Sequence, residues 1–346
     1  ILNNVLIQAD NRLINLFTTN LEIGINCAVR GKVEKEGSFT VPAKLFADFV
    51  GLLGKEQIEL SLEKDELSII SKNHQAKIKG LPADDFPTLP QIEKKDPIII
   101  DAQEFRQGVS QVSFTITTNE TRPEISGMLF NFNVEDKTLT IVGTDSYRLA
   151  EKVIKLKKAS VKDSKIIVPI KTVQEVARII SNIKEDKETE LEIYLSEENQ
   201  ILFVVNEISL ISRIIEGQYP EYKEIIPKTS KTQTIVDRQN FVNLIKTSSL
   251  FTQTGINSVN LEFFDSDQEI KVTSANLQTG EDLARLSAKI DGAANKIALN
   301  YRFLLDGLAN VTSDEALLEI IDKDTPCLIK SPGKTDYLYI IMPIRQ

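Results

Sequence analysis

Tryptophan is absent from these 346 residues, histidine occurs once, and cysteine and methionine occur twice each. Each shortage closes off a class of chemistry. The single histidine, His74, lies in the polar run SKNHQAK with no cysteine, second histidine or acidic cluster at metal-ligand spacing, so no metal site is expected there. Cys27 and Cys327 fit no disulfide framework and read as buried thiols in a reducing cytoplasm. No apolar run approaches the roughly 18 residues of a membrane-spanning helix, and no membrane partner is expected. Positive charge is also short, with 41 Lys and Arg against 50 Asp and Glu for a net charge of −9, so bulk charge does not mark a nucleic-acid binder. Most acidic residues fall in turns such as EKDE, SEEN and DSDQ, where solvation accounts for them without acid–base roles. The run SPGKTDY places Gly333, Lys334 and Thr335 in phosphate-loop order. Leu328 nevertheless stands where the earlier glycine is required and a strand follows, so a hairpin turn is expected. No catalytic residue and no cofactor emerges.

What the chain does have is a threefold internal repeat. SFTVPAKLFADFVGLL (38–53) returns as KIIVPIKTVQEVARII (165–180) and, more diverged, as KIALNYRFLLDGLANV (296–311). Each copy is a short apolar strand running into an amphipathic helix. Val41, Val168 and Leu299 occupy equivalent places about 127 and about 131 positions apart, which is domain spacing and not solenoid spacing. The segments 12–29, 138–153 and 269–286 read as strand, polar turn, strand, and a hairpin around an acidic turn follows each helix. Copies two and three open on a further helix, DAQEFRQGVSQVSFTIT and VDRQNFVNLIKTSSLF. The first copy is expected to lack that opening strand and helix, roughly 25 residues by repeat register. The fold class is α+β, in three domains at 1–93 (incomplete at its start), 94–229 and 230–346.

The repeat helices show a regular two-sided pattern. Val173, Val176, Ala177 and Ile180 form one apolar face, and Lys171, Gln174 and Arg178 fall opposite. The same reading places Lys44 and Arg302 on the outer faces of the other two copies, with Arg106 and Lys246 on the opening helices. Arranged in an arc or ring, such faces would line one surface suited to a long polyanion.

GTDSYRLA (143–150), IVPIK (167–171), GLPADDFPTLP (80–90), EGQYPEYKEIIPK (216–228) and the terminal IIMPIRQ (340–346) together resemble the bacterial DNA polymerase III beta subunit, the DNA sliding clamp family, along the whole chain and in order. The resemblance implies a head-to-tail homodimer, a six-domain ring with helices lining the inside and antiparallel sheets outside. It implies a non-catalytic processivity role: sequence-independent encirclement of double-stranded DNA, with Lys44, Arg106, Lys171, Arg178, Lys246 and Arg302 facing it. Partner proteins would be the polymerase III catalytic subunit, the clamp loader, and other polymerases or repair proteins, held through short linear peptides. Carried over by motif, the peptide groove would be walled by Ile125, Thr144, Tyr147, Arg148, Leu149, Pro220, Ile225, Asn300, Phe303, Met342, Pro343, Ile344 and Arg345. Ala76 and Ile78 would meet Leu250 and Phe251 of the other copy. The chain departs from the family pattern at Ser146, where glycine is usual, at Tyr147, where histidine is common, and at Glu224 and Ile170, where some relatives carry basic residues. Two other readings stand beside this one: a clamp-fold protein scaffold that is not loaded on DNA, and an enzyme whose site the residues do not display.

Overall fold

The computed structural model describes residues 1–88, 90, 92–118, 121–159, 162–183, 189–253 and 255–345. Leu89 of the GLPADDFPTLP segment and Gln346 of the terminal motif lie outside them. The first repeat comprises β1 (Asn4–Asp10), β2 (Leu13–Thr19), β3 (Ile23–Arg30), β4 (Gly37–Pro42), α1 (Ala43–Leu52), β5 (Glu59–Glu63), β6 (Glu66–Ile70) and β7 (Gln75–Lys79). The second runs β8 (Ile98–Asp101), α2 (Ala102–Ser113), β9 (Gly127–Asn133), β10 (Thr138–Thr144), β11 (Arg148–Lys155), β12 (Ser164–Pro169), α3 (Ile170–Asn182), β13 (Glu190–Ser196), β14 (Gln200–Val205) and β15 (Ile208–Arg213). The third runs β16 (Thr232–Asp237), α4 (Arg238–Ser249), β17 (Ser258–Phe264), β18 (Glu269–Asn276), β19 (Gly280–Ser287), β20 (Lys289–Gly292), β21 (Asn295–Asn300), α5 (Tyr301–Asn310), β22 (Glu315–Ile320), β23 (Cys327–Lys330) and β24 (Tyr337–Ile341). The third repeat thus matches the second with one added short strand, β20.

The repeated junction has a local cause. Val41, Val168 and Leu299 end their strands with no exposed surface. Pro42 and Pro169 follow the first two, and proline's fixed φ and missing N–H suit the start of a helix. At the third junction Asn300 does the work differently: its side-chain oxygen accepts from the Arg302 N–H at 2.9 Å. Asp237 caps α4 in the same way, accepting from the Asn240 N–H at 2.7 Å. Such caps contribute about 1 kcal/mol each.

Packing divides the chain into two units that do not follow the order of the repeats. One holds Ile1–Gln103, Lys157–Val161 and Arg178–Ile214; the other holds Glu104–Leu156, Lys162–Ala177 and Ile215–Gln346. The reason is strand pairing. In the first unit β15 pairs antiparallel with β3, Leu210 opposite Ile25, joining strands of two repeats into an eight-stranded sheet ordered β4-β1-β2-β3-β15-β14-β13-β8. A three-stranded sheet, β5-β6-β7, completes that unit. Its core gathers Val5, Ile7, Phe39, Val41, Leu67, Ile69 and Ile78 under Phe46 of α1.

In the second unit β11 pairs with β24, Leu149 opposite Ile340, within a nine-stranded sheet ordered β12-β9-β10-β11-β24-β23-β22-β16-β20. A four-stranded sheet, β19-β18-β17-β21, carries the remaining strands. Tyr339 of β24 is fully buried, donates its hydroxyl to the Phe303 carbonyl at 2.9 Å, and packs its ring closely against Gly307 of α5. A Cβ on Gly307 would come within 2.2 Å of the Tyr339 ring. Helix propensity alone favours alanine there by about 1 kcal/mol, but overpacking costs typically about 1–3 kcal/mol. Gly307→Ala is therefore expected to lower the melting temperature; a rise on thermal denaturation would show that the ring can yield. Among the described residues no helix is long and apolar enough to cross a membrane.

Candidate functional site

Between β10 and β11 the chain makes a tight loop that its own side chains lock. The Thr144 hydroxyl donates to the Arg148 carbonyl at 2.8 Å and accepts from the Ser146 N–H at 3.1 Å. One carboxylate oxygen of Asp145 accepts from the N–H groups of Tyr147 and Arg148, each at 3.0 Å. Ser146 sits at φ 77°, the left-handed region that costs a side-chain-bearing residue about 1 kcal/mol or more, which is the physical reason glycine suits this position. Here the serine gains something in return, since its hydroxyl accepts from Arg122 at 3.0 Å.

Two further segments close on this loop. After β24 the chain is pinned by the Met342 N–H, which donates to the Tyr147 carbonyl at 2.9 Å, and by the Ile344 N–H, which donates to the Ala298 carbonyl at 2.8 Å. The stretch before β16 is anchored by Tyr222, whose hydroxyl donates to the Glu151 carboxylate at 2.5 Å. Burial, helped by the Glu151 charge, pushes the Tyr222 phenol far above its ordinary pKa, so it stays a neutral donor.

These segments enclose a pocket of about 140 Å3. From the sequence expectation it gathers Ile125, Thr144, Arg148, Leu149, Pro220, Ile225 and Met342. It adds Arg122, Glu221, Tyr222 and Ile340, which sequence reasoning passed over, and Ser146, singled out in the sequence as a departure from the family's glycine. Three of these had a readable signal: Glu221 and Tyr222 lie inside the EGQYPEYKEIIPK segment, and Ile340 opens the terminal motif. Half of the lining residues are aliphatic, and Arg122, Arg148 and Glu221 supply the charge. The volume is below the about 300–1,000 Å3 of cavities that enclose whole small molecules, and it suits one or two aliphatic side chains presented by an extended peptide.

The other anticipated groove residues do not line the pocket. Tyr147 is 66% exposed, and its carbonyl rather than its ring holds the tail. Asn300 caps α5, and Phe303 packs against the Arg148 guanidinium with the charge 4.5 Å from the ring centre. Pro343 and Ile344 are half-buried in the tail, and Arg345 is exposed.

Of the expected polyanion-facing residues, Lys44, Lys171, Arg178, Lys246 and Arg302 are exposed on α1, α3, α4 and α5, and Arg106 on α2 is half-buried. Of the expected inter-copy contacts, Leu250 is 73% exposed and Phe251 half-buried, but Ile78 is only 5% exposed. Ala76 and Ile78 share the face of β7 that looks into the first unit's core, which alternation along a strand requires. The part of β7 left free is its backbone: it is the edge of its sheet, as β19 is of another. Among the described residues no group of three or more His, Cys, Asp or Glu could hold a metal.

Comparison with known proteins covers the chain nearly end to end. Family models described as the N-terminal, central and C-terminal domains of the DNA polymerase III beta subunit match residues 1–90, 99–221 and 223–345. The beta sliding clamp of Staphylococcus aureus (strain Mu50) is 27% identical over 355 residues, which span 100% of this chain and 92% of that protein. Two crystal structures cover 100% of this chain and 92% of their own. They are the DNA polymerase III beta subunit of Thermotoga maritima (25% identity, TM-score 0.91) and a sliding clamp of Bartonella birtlesii bound to griselimycin (28%, TM-score 0.90).

Proposed function

The chain belongs to the DNA polymerase III beta subunit family and is a non-catalytic sliding clamp of DNA replication; from that premise we propose that two copies close head to tail around duplex DNA and capture partner peptides in the pocket beside Met342. The domains of this assembly run 1–93, 94–229 and 230–346. The observation that carries the reading is the match of all three domain models in order, on a chain whose aliphatic pocket is built from the second and third repeats.

In this reading the basic residues Lys44, Arg106, Lys171, Arg178, Lys246 and Arg302 face DNA from the helices of a ring. A net charge of −9 is then no obstacle. Topological enclosure needs only weak, screened attraction to phosphates, and tighter contacts would brake sliding. The peptide partners are the polymerase III catalytic subunit, the clamp loader, and other polymerases or repair proteins. The edge strands β7 of one copy and β19 of the other are suited to pair across the dimer contact, with Leu250 and Phe251 beside β19.

Retention on DNA tests the ring. Loaded on a nicked circular plasmid with clamp loader and ATP, the protein is expected to stay bound in high salt and to fall off when the plasmid is linearised. Failure to be retained on the circle would leave only the protein-scaffold reading. Reversing Lys171 and Arg178 to glutamate is expected to reduce loading by about 10-fold at physiological salt. Loading equal to that of the unaltered protein would remove both residues from the DNA-facing surface.

A further inference from the structure

Arg148 carries a charge into a nearly dry place. Its side chain is 10% exposed and that of Asp145 9%. The guanidinium carbon lies 4.5 Å from the centre of the Phe303 ring and 5.4 Å from that of Phe114. Nε donates to Asp145 at 3.0 Å, one terminal nitrogen donates to the Phe114 carbonyl at 2.9 Å, and the other to Asp306 at 2.5 Å. Burial opposes the charge, and the Asp306 hydrogen bond with the nearby Asp145 outweighs it, so the arginine is held more firmly protonated than usual.

Asp306 is the distant member of this set. It sits on α5 of the third repeat, its side chain is 48% exposed, and it does not line the pocket. Arg148 does line it, as the first residue of β11, one position before Leu149 and one after the carbonyl that holds the Met342 N–H. The ion pair therefore runs from α5 to the strand that forms one wall of the pocket. Asp145 has a different task, because it also accepts from the loop's own N–H groups and would still neutralise Arg148 if Asp306 were lost. The fold does not need Asp306 to avoid a stranded buried charge, which is the usual penalty when one partner of such a pair is removed.

We propose that Asp306 is a positioning residue of the peptide groove: acting through Arg148, it fixes the β11 wall against α5, and so sets the spacing between Leu149 and Met342 without touching the peptide. This rests on the reading of the pocket as the peptide groove. Two bonds to one guanidinium, accepted by carboxylates of the β10–β11 loop and of α5, give direction as well as attraction, and the Phe303 ring 4.5 Å away adds a packed contact from the same helix. Without Asp306 the guanidinium keeps its bonds to Asp145 and to the Phe114 carbonyl but loses its charged tie to α5, and the wall is then free to shift against that helix.

The test titrates griselimycin, the ligand seen on the Bartonella clamp, into the full-length chain and its variants. Asp306→Asn is expected to weaken binding by about 3- to 10-fold with the melting temperature nearly unchanged, and Asp306→Glu to restore most of it. In an Arg148→Lys background the Asn substitution should add little, since the coupling is already broken. Equal affinity of the unaltered protein and Asp306→Asn overturns the inference, as does a loss that Glu does not restore or one that is fully additive with Arg148→Lys. Absence of griselimycin binding by the unaltered protein instead overturns the groove reading beneath it.

Discussion

Met342→Ala is expected to weaken capture of a partner peptide or of griselimycin by about 10- to 100-fold while leaving fold and assembly intact. Met342 is 36% exposed, lines the pocket and lies just past β24, where only its backbone is committed, to Tyr147. A flexible thioether at a pocket wall can follow the shape of an aliphatic guest, so truncation removes contact area without leaving a hole in the core. Leu149 lines the same pocket but behaves differently. It is 1% exposed and packs with Leu129, Val142, Tyr222, Leu328 and Ile340, so Leu149→Ala would cost about 2–5 kcal/mol of stability on top of any loss of binding. The two together should abolish binding, but the single methionine change is the cleaner measurement. Unchanged affinity of Met342→Ala in a titration would refute the groove.

Charge at Leu250 and Leu283 is expected to have the other large effect. Leu250 follows α4 and is 73% exposed; Leu283 lies on the edge strand β19 and is 56% exposed. The two regions are tied together, for the Ser248 hydroxyl donates to Asp282 at 2.6 Å and the Asn276 amide donates to the Thr252 carbonyl at 3.1 Å. Apolar side chains so exposed at a free sheet edge are costly for a solitary chain and natural in an interface. Leu250→Asp with Leu283→Asp should break the proposed head-to-tail dimer, read as a fall from twice the chain mass to single mass, because an unpaired carboxylate would have to be desolvated in the contact. Neither side chain is part of a core, so the folded monomer should survive. An unaltered mass in solution would move the dimer contact elsewhere.

Much of this was legible in the residues because the repeat is local. A strand ending in buried valine or leucine, followed by proline or asparagine and an amphipathic helix, is written within about 16 positions. The face of α3 followed directly: Val173, Val176 and Ile180 are buried while Lys171, Gln174 and Arg178 are exposed. What could not be read was pairing between distant strands. Nothing in β15 names β3, and nothing in β11 names β24, so the grouping into two packing units was invisible. Ile78 shows the same gap at a single residue. Alternation puts it on one face of β7 with Ala76, but which face meets the core is decided by Val5, Phe39 and Phe46, far off in the chain. In the site, Asn300 caps α5 and Phe303 packs on Arg148, roles that the motif resemblance does not convey. A cap is a local signal, Asn just before a helical pattern; the packing on Arg148 depends on the third dimension.

The joins of β15 to β3 and of β11 to β24 are stitched by amides and carbonyls, groups that every amino acid except proline supplies identically. Mutation can rewrite the exposed lettering along such a hem without cutting the thread, while buried letters such as Leu149 and Ile340 stay bound by packing. That is how a sequence sharing only a quarter of its residues with the Thermotoga protein can still superpose on it at a TM-score of 0.91. Evolution has had licence to redecorate here, and partner preference, which depends on decoration, is where lineages built on this frame should diverge first.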